Sequence, residues 1–456
     1  MLKRILISLL LVVGVAAQSA GAQSKKTKPA PAAAPATRSN AAAASNETIA
    51  LKGGKLLTIT HGVIENGVIV MQNGRITAVG GSGTSIPSGA KVIDVTGMTV
   101  YPGLIDSETR LGLTEISADR MTNDQIELSD EIMPHMHVSD AFHAETALIP
   151  VDRVNGITNA IVAPAGQDTL PGQDSFIQLA GASATEMLMV RDIAMPLNFT
   201  GQQRRNQNFE QAKFPFTRMG MATQLRQAFI DAQDYDQKLA AYDKKKNSSD
   251  EKEKDKAGAP PKRDLKLEAL LPYLHGKKPV VLAAEEPNDV LTALDLANEF
   301  HLKVILSRVT HSASLLDKIA ATKLPVIVGS IYEQPKESER YDAVYRMPAE
   351  LAKRGVKIAF ASFGDHMARG LPYAAGYAEA FGLPADEALK ALTINPAQMW
   401  GVDKDLGSLE VGKMGNVVVA NGDPLDVKTD VKHVFIQGQE IPLVNKQTQL
   451  RDQYWK

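Results

Sequence analysis

Between Tyr101 and Asp403 the chain repeats one pattern, a short apolar run followed by a segment whose apolar residues recur every three or four positions. The runs are "NGITNAIVAPAG", "KPVVLAAEE", "HLKVILSRV", "LPVIVGS" and "GVKIAFASFG", while "PNDVLTALDLANEF" and "ASLLDKIAAT" read as amphipathic helices between them. A strand turns its side chains to alternate faces and a helix returns to one face every 3.6 residues, so the change of period separates the two. Strand, helix and strand in succession predict a parallel sheet, because parallel neighbours need a long crossover. Two architectures satisfy the repetition: an eight-stranded barrel ringed by helices, or an open doubly wound sheet. No G-x-G-x-x-G follows a strand, which weighs against dinucleotide binding. In a barrel the functional residues sit at the C-terminal ends of the strands.

Both flanks of this middle have a different texture. "GVIVMQNGRITAVGG" sets Asn73-Gly74 between two β-rich runs, a strong hairpin signal. "GSLEVGKMGNVVVANGDP" and "VKHVFIQGQEI" near the other end are again short strands broken at glycines. The expectation is one small β-domain built from residues 48–100 and 404–445, with the barrel-like unit at 101–403 between them. One stretch interrupts the alternation: a polar-faced helix over 216–242 leads into the mixed-charge run 243–263, which lacks apolar periodicity and is expected to be disordered.

The first 22 residues read as a secretory signal. Lys3 and Arg4 precede the apolar run Ile5–Ala17, and Ala20-Gly21-Ala22 is a small-x-small cleavage triplet. The run is shorter than the ~20 residues a membrane-spanning helix needs, and no later stretch approaches that length, so no membrane span is expected. Residues 23–47 are rich in Ala, Pro, Ser and Lys and read as a flexible linker, which places the folded part in the periplasm or outside the cell. Residues 1–46 carry six basic side chains and no acid, leaving 44 basic against 52 acidic residues from Glu47 onward. That acidic balance argues against nucleic acid as a partner. The chain has no cysteine, which excludes thiolate metal sites and cysteine nucleophiles.

Three segments carry a resemblance. "GMTVYPGLID", the glycine-rich "NGITNAIVAPAGQDTLPGQDSFIQLAG" and the closing "ALKALTINPAQMWGVDKDLGSLEVGKMGNVVVANGDP" resemble the amidohydrolase superfamily, in particular its imidazolonepropionase-like branch. The resemblance covers nearly everything from Thr48 to Pro442. It implies an α/β fold, a (β/α)8 TIM barrel plus a small β-sandwich domain from both termini. It also implies hydrolysis of C–N bonds in cyclic amides or dipeptides, with zinc or another divalent metal.

The ligand positions depart from that pattern. The histidine pair after the first barrel strand falls on Glu108 and Arg110, the fifth-strand histidine on Ala283, and the sixth-strand histidine on Arg308. The eighth-strand aspartate falls on Phe363, with Asp365 two residues later. Arginine donates only and stays charged, so it cannot ligate a cation. No metal cofactor is therefore expected. Asp365 and His366 form the one acid–base couple expected at the barrel mouth and are the catalytic candidates; Glu108, Arg110, His135, Arg308 and Asp365 are the candidate ligand-binding residues. His135-x-His137 and His143 lie between strands and read as structural or substrate-contacting; His301 sits in a turn, and His311 reads as a cap for the helix after strand six. The expected function is a non-catalytic homologue that binds a small anionic ligand or a partner. The alternatives are a hydrolase with a rebuilt site around Asp365, His366 and Glu108, or a structural subunit. Partner expectations are a homo-oligomer, or a hetero-oligomer with an intact relative.

Overall fold

The structure, a computed structural model, describes residues 47–166, 168–200 and 214–455. The expected signal and nearly all of the expected linker lie outside them. Among the described residues no helix is long and apolar enough to cross a membrane.

The described residues begin with five strands, β1 (Ile49–Leu57), β2 (Val63–Gln72), β3 (Arg75–Gly80), β4 (Lys91–Asp94) and β5 (Thr99–Pro102). The chain then builds β6 (Leu104–Thr109), β7 (Ile157–Val162), β8 (Asp174–Gln178), β9 (Leu188–Asn198), β10 (Val280–Ala284), β11 (Val304–Arg308), β12 (Val326–Val328) and β13 (Ile358–Phe360). Three strands, β14 (Val417–Ala420), β15 (Val431–Ile436) and β16 (Gln439–Ile441), and a helix over Lys446–Tyr454 follow.

The terminal strands form one eight-stranded sheet in the order β16-β15-β14-β5-β1-β2-β3, with β4 also paired to β1. The hairpin expected at Asn73-Gly74 joins β2 to β3 in two residues, both with positive φ (50° and 77°). A two-residue turn of that hand matches the twist of the strands it joins, and glycine adopts it without strain. The two ends of the chain meet where β5 runs antiparallel to β14, Tyr101 opposite Val418. Alternation then divides the work of β14 and β15. Val417, Val419 and Phe435 pack inside the sheet domain, while Val418, Val434 and Ile436 join the core shared with the barrel.

The second sheet holds β6 through β13 in sequence order. The strand β13 returns to β6: the Phe363 amide donates to the Glu108 carbonyl at 2.9 Å, and the Arg110 amide to the Gly364 carbonyl at 2.8 Å. Ile105, Ile161, Phe176, Val281, Ile305, Ile327 and Ala359 cluster as one apolar layer, and their strand neighbours join the outer core with the helices. The barrel expectation is met in strand number. In direction one strand differs, since β8 runs antiparallel to both β7 and β9. The connections explain it. Neither the 163–173 link nor the 179–187 link holds a helix long enough to carry the chain back across the sheet, so each strand simply reverses.

The charged insertion, expected to be disordered, holds helix in its first half and no regular structure over 256–263. The helix Arg218–Lys246 continues into it for a full turn, and Glu251–Asp255 is a second short helix. The Asp250 side chain caps that helix by accepting from the Lys252 amide, and Lys254–Glu251 and Lys256–Glu253 pair across its turns. Charge pairs at helical spacing support helix without any apolar face, a pattern that a search for apolar periodicity does not register.

Candidate functional site

The C-terminal ends of β6, β10, β11 and β13 carry the positions at which the resemblance led us to expect metal ligands. Glu108 and Arg110, at and just past the end of β6, are 7% and 5% exposed. Arg110 Nη2 donates to Glu108 Oε1 at 2.9 Å, and its Nη1 donates to the carbonyls of Ala163 (3.1 Å) and Thr109 (3.4 Å). Ser307 Oγ donates to the other Glu108 oxygen at 3.1 Å. Arg308, the last residue of β11, places Nη2 3.5 Å from the same Glu108 Oε1 and Nη1 3.7 Å from Glu285 Oε1. Its guanidinium lies over the Phe363 ring, 4.4 Å from the centroid. Burial pushes the Glu108 carboxyl up, but Arg110 and Arg308 together outweigh it and hold the group below its ordinary value.

The backbone here is unusual. Arg308 (φ 78°), Val309 (φ 42°) and Phe363 (φ 55°) all occupy the left-handed region, which is costly for a β-branched or bulky residue. This turn ends the strand alternation that would have continued past Ser307. Ala283 is buried on β10, and its carbonyl accepts from the Phe199 amide at 2.9 Å.

Beneath the cluster lie buried acids. Asp106 Oδ1 accepts the amides of Ser362 (3.0 Å) and Glu108 (3.2 Å), tying the first and last barrel strands. Burial pushes its carboxyl up to about 7 against those hydrogen bonds. Burial raises Asp152 to about 7 as well, and Asp174, on β8, is held well above the usual range by burial and then by Glu108.

Other sequence candidates are dispersed. Asp365 and His366 pair with each other, and Asp365 also accepts from Ser117 Oγ at 3.2 Å. His135 stands near Lys266 and Asp130, with its charged form disfavoured by burial and then by Lys266. His137 pairs with Asp192 at 2.7 Å and His143 with Asp124 at 2.8 Å. The reading of His311 as a helix cap is corrected. The 3-10 turn Ala313–Leu315 that follows receives no side-chain cap, and His311 instead reaches the 330–342 loop, with Nδ1 2.9 Å from Glu339 and Nε2 3.8 Å from Glu333. Sequence reasoning missed Glu285, Glu333 and Glu339. The signal for Glu285 was its place in "AAEE", directly past the end of a barrel strand.

The comparisons with known proteins agree with this architecture. Residues 286–441 match the model of the amidohydrolase family. The chain carries an amidohydrolase family domain. The crystal structure of an amidohydrolase from Thermotoga maritima MSB8 superposes with a TM-score of 0.78 at 28% identity, covering 86% of this chain and 99% of that one. Amidohydrolase tasK of Hapsidospora irregularis is 24% identical over 392 residues, 82% of this chain but 39% of the relative. A dihydroorotase of Geobacter sulfurreducens is 28% identical over 167 residues, 34% of this chain and 38% of its own. The chain thus spans about two fifths of the curated relatives it matches.

Amidohydrolases of this fold are expected to hold a divalent metal, and the donor chemistry at the corresponding positions does not fit one. A catalytic metal needs several nitrogen or oxygen lone pairs and an open position for water. Glu108 alone offers lone pairs, and two guanidiniums already face it. Ala283 and Phe363 offer none. Among the described residues no group of three His, Asp or Glu side chains is arranged to hold a metal ion.

Proposed function

We propose that this amidohydrolase-fold protein is exported and non-hydrolytic, with the position of the family metal closed by an internal ion network and the barrel mouth used for binding. One observation carries the reading: Glu108 Oε1 is shared by Arg110 at 2.9 Å and Arg308 at 3.5 Å. Two guanidiniums supply the double positive charge that a dication would bring, without its open coordination position or its acidified water. The exported part of the proposal rests on the charged start, apolar run and small-x-small triplet of residues 1–22.

The experiment is metal analysis of the purified protein together with a screen for C–N hydrolysis. The expected result is no stoichiometric metal and no turnover of cyclic amides or dipeptides. A stoichiometric divalent metal that disappears in Glu108→Gln would sink the proposal. Turnover abolished by Asp365→Asn or His366→Gln would favour the rebuilt hydrolase instead. A combined variant with histidine at 108, 110, 283 and 308 and aspartate at 363 is expected to gain zinc binding that the parent lacks.

The alternative is a structural subunit beside an intact relative. Co-purification with a catalytically intact amidohydrolase from the native cell envelope would support it, and recovery of this chain alone would remove it.

A further inference from the structure

The two arginines at the barrel mouth are not equivalent. Arg110 is nearly saturated, with a carboxylate oxygen and two carbonyls as acceptors. Arg308 is held without being satisfied. Its ion-pair partners stand at 3.5 and 3.7 Å, its side chain is 19% exposed, and its plane is fixed against Phe363. Among the described residues its guanidinium makes no hydrogen bond, although it carries five N–H donors in a planar fork. A fork fixed in place and left open suits a carboxylate.

The opposite charge is available beside it. Glu285 follows β10, His311 follows β11 and Glu333 lies past β12, so three adjacent strand ends contribute to one surface. Glu333 stands 3.8 Å from His311 Nε2, beyond hydrogen-bond reach. Burial raises its carboxyl and Glu285 raises it further, while Arg308 and His311 pull the other way. A cation between Glu285 and Glu333 would relieve that repulsion.

These charges select against simple ions. A lone anion would meet Glu108, Glu285 and Glu333 around one available guanidinium, and a lone cation would meet Arg308. A molecule with a carboxylate and an ammonium on one carbon satisfies both sides and leaves the local charge unchanged. We propose that the barrel mouth binds an α-amino acid zwitterion, its carboxylate on Arg308 and its ammonium between Glu285 and Glu333. The proposal rests on the reading that the Glu108 network closes the metal position. A cavity of about 580 Å³, lined in part by His311, Glu286, Lys336 and Glu339, shares His311 with this surface and is in the size range of small-ligand pockets.

The test is calorimetric titration of the purified protein with each of the twenty L-α-amino acids. The tightest binder is then compared with its own N-acetyl derivative, which lacks the ammonium, and its amide, which lacks the carboxylate. Saturable binding is expected for the parent amino acid, at least tenfold weaker for either derivative. Glu333→Gln, at a partly exposed position, should weaken the parent about tenfold and leave the N-acetyl derivative unchanged, whereas Arg308→Lys should weaken both. Circular dichroism melts establish that each variant is folded. Binding of the N-acetyl derivative as tightly as its parent would reduce the site to an anion site and overturn the proposal. Absence of saturable binding by any amino acid would overturn it too, and neither result touches the network reading. Stoichiometric metal dependent on Glu108 would overturn that reading instead.

Discussion

Glu108 and its two arginines show how unequal two similar contacts are. Arg110 is buried and hydrogen-bonded to the Glu108 carboxylate, so Arg110→Ala strands a buried charge and should cost about 3–5 kcal/mol of stability. Arg308 sits farther away and more exposed, and Arg110 would remain to pair the same carboxylate. Arg308→Ala should therefore cost less, about 1–2 kcal/mol, with the smaller value set by its longer, un-hydrogen-bonded contacts. Chemical denaturation midpoints of the two variants check the order, and equal losses would show that Arg308 holds Glu108 as firmly as Arg110 does. The same inequality explains what was legible at this scale. The replacement of histidines by Glu108, Arg110 and Arg308 is plain in the sequence, as is the consequence for a cation. Which arginine takes the carboxylate depends on the left-handed turn at Arg308 and Val309, and neither residue type announces that conformation.

At the scale of elements, period was the reliable signal. β10 to β13 and the helices between them alternate as the apolar spacing predicts, and Asn73-Gly74 turns where a two-residue hairpin requires. The reversal at β8 was not legible, because an apolar strand in a barrel wall reads the same in either direction and only its connections differ. The short helix in the insertion was not legible for a related reason: it is supported by a cap and charge pairs rather than by an apolar face. Its exposure still has a consequence. Residues 256–263 follow the short helix without regular structure, and past them Leu265–Leu274 packs back on the long helix, Tyr235 Oη donating to Glu268 at 3.1 Å. Trypsin should cut first after Lys256, Lys262 or Arg263, and the two fragments should stay associated through size-exclusion chromatography. First cleavage elsewhere, or separation of the fragments, would show that the segment is docked or that the helix pair does not hold.

Across the whole molecule the barrel and the terminal sheet share polar contacts, Asn416 Nδ2 donating to Asn159 Oδ1 at 2.9 Å and Gln437 Nε2 to Gln178 Oε1 at 2.8 Å, so they are expected to unfold together. The pH dependence of that one transition follows from the buried acids. Asp106 and Asp152 titrate near 7 in the folded protein and near the ordinary 3.8 when unfolded. Between those values the folded state holds the extra protons, so stability falls as pH rises from about 4 to about 7 and levels off above. Asp174, raised by burial and then by Glu108, acts in the same sense. Glu108 works in the opposite sense: its lowered carboxyl contributes stability above its unfolded value that is lost as pH drops through the folded one. The two limbs place maximum stability well on the acid side of neutrality, at about pH 4, where the buried aspartates are protonated and Glu108 is still held charged by its arginines. Stability changes by about 1.4 kcal/mol for every tenfold difference in proton affinity between the folded and unfolded chain, so the aspartates govern the alkaline limb. Asp106→Asn keeps an oxygen for the amides of Ser362 and Glu108 but removes the ionisation, and should flatten that limb. Urea midpoints measured from pH 4 to pH 9 check this, and a midpoint that rises from pH 5 to pH 8 would show that the buried aspartates are charged and paired in the folded protein.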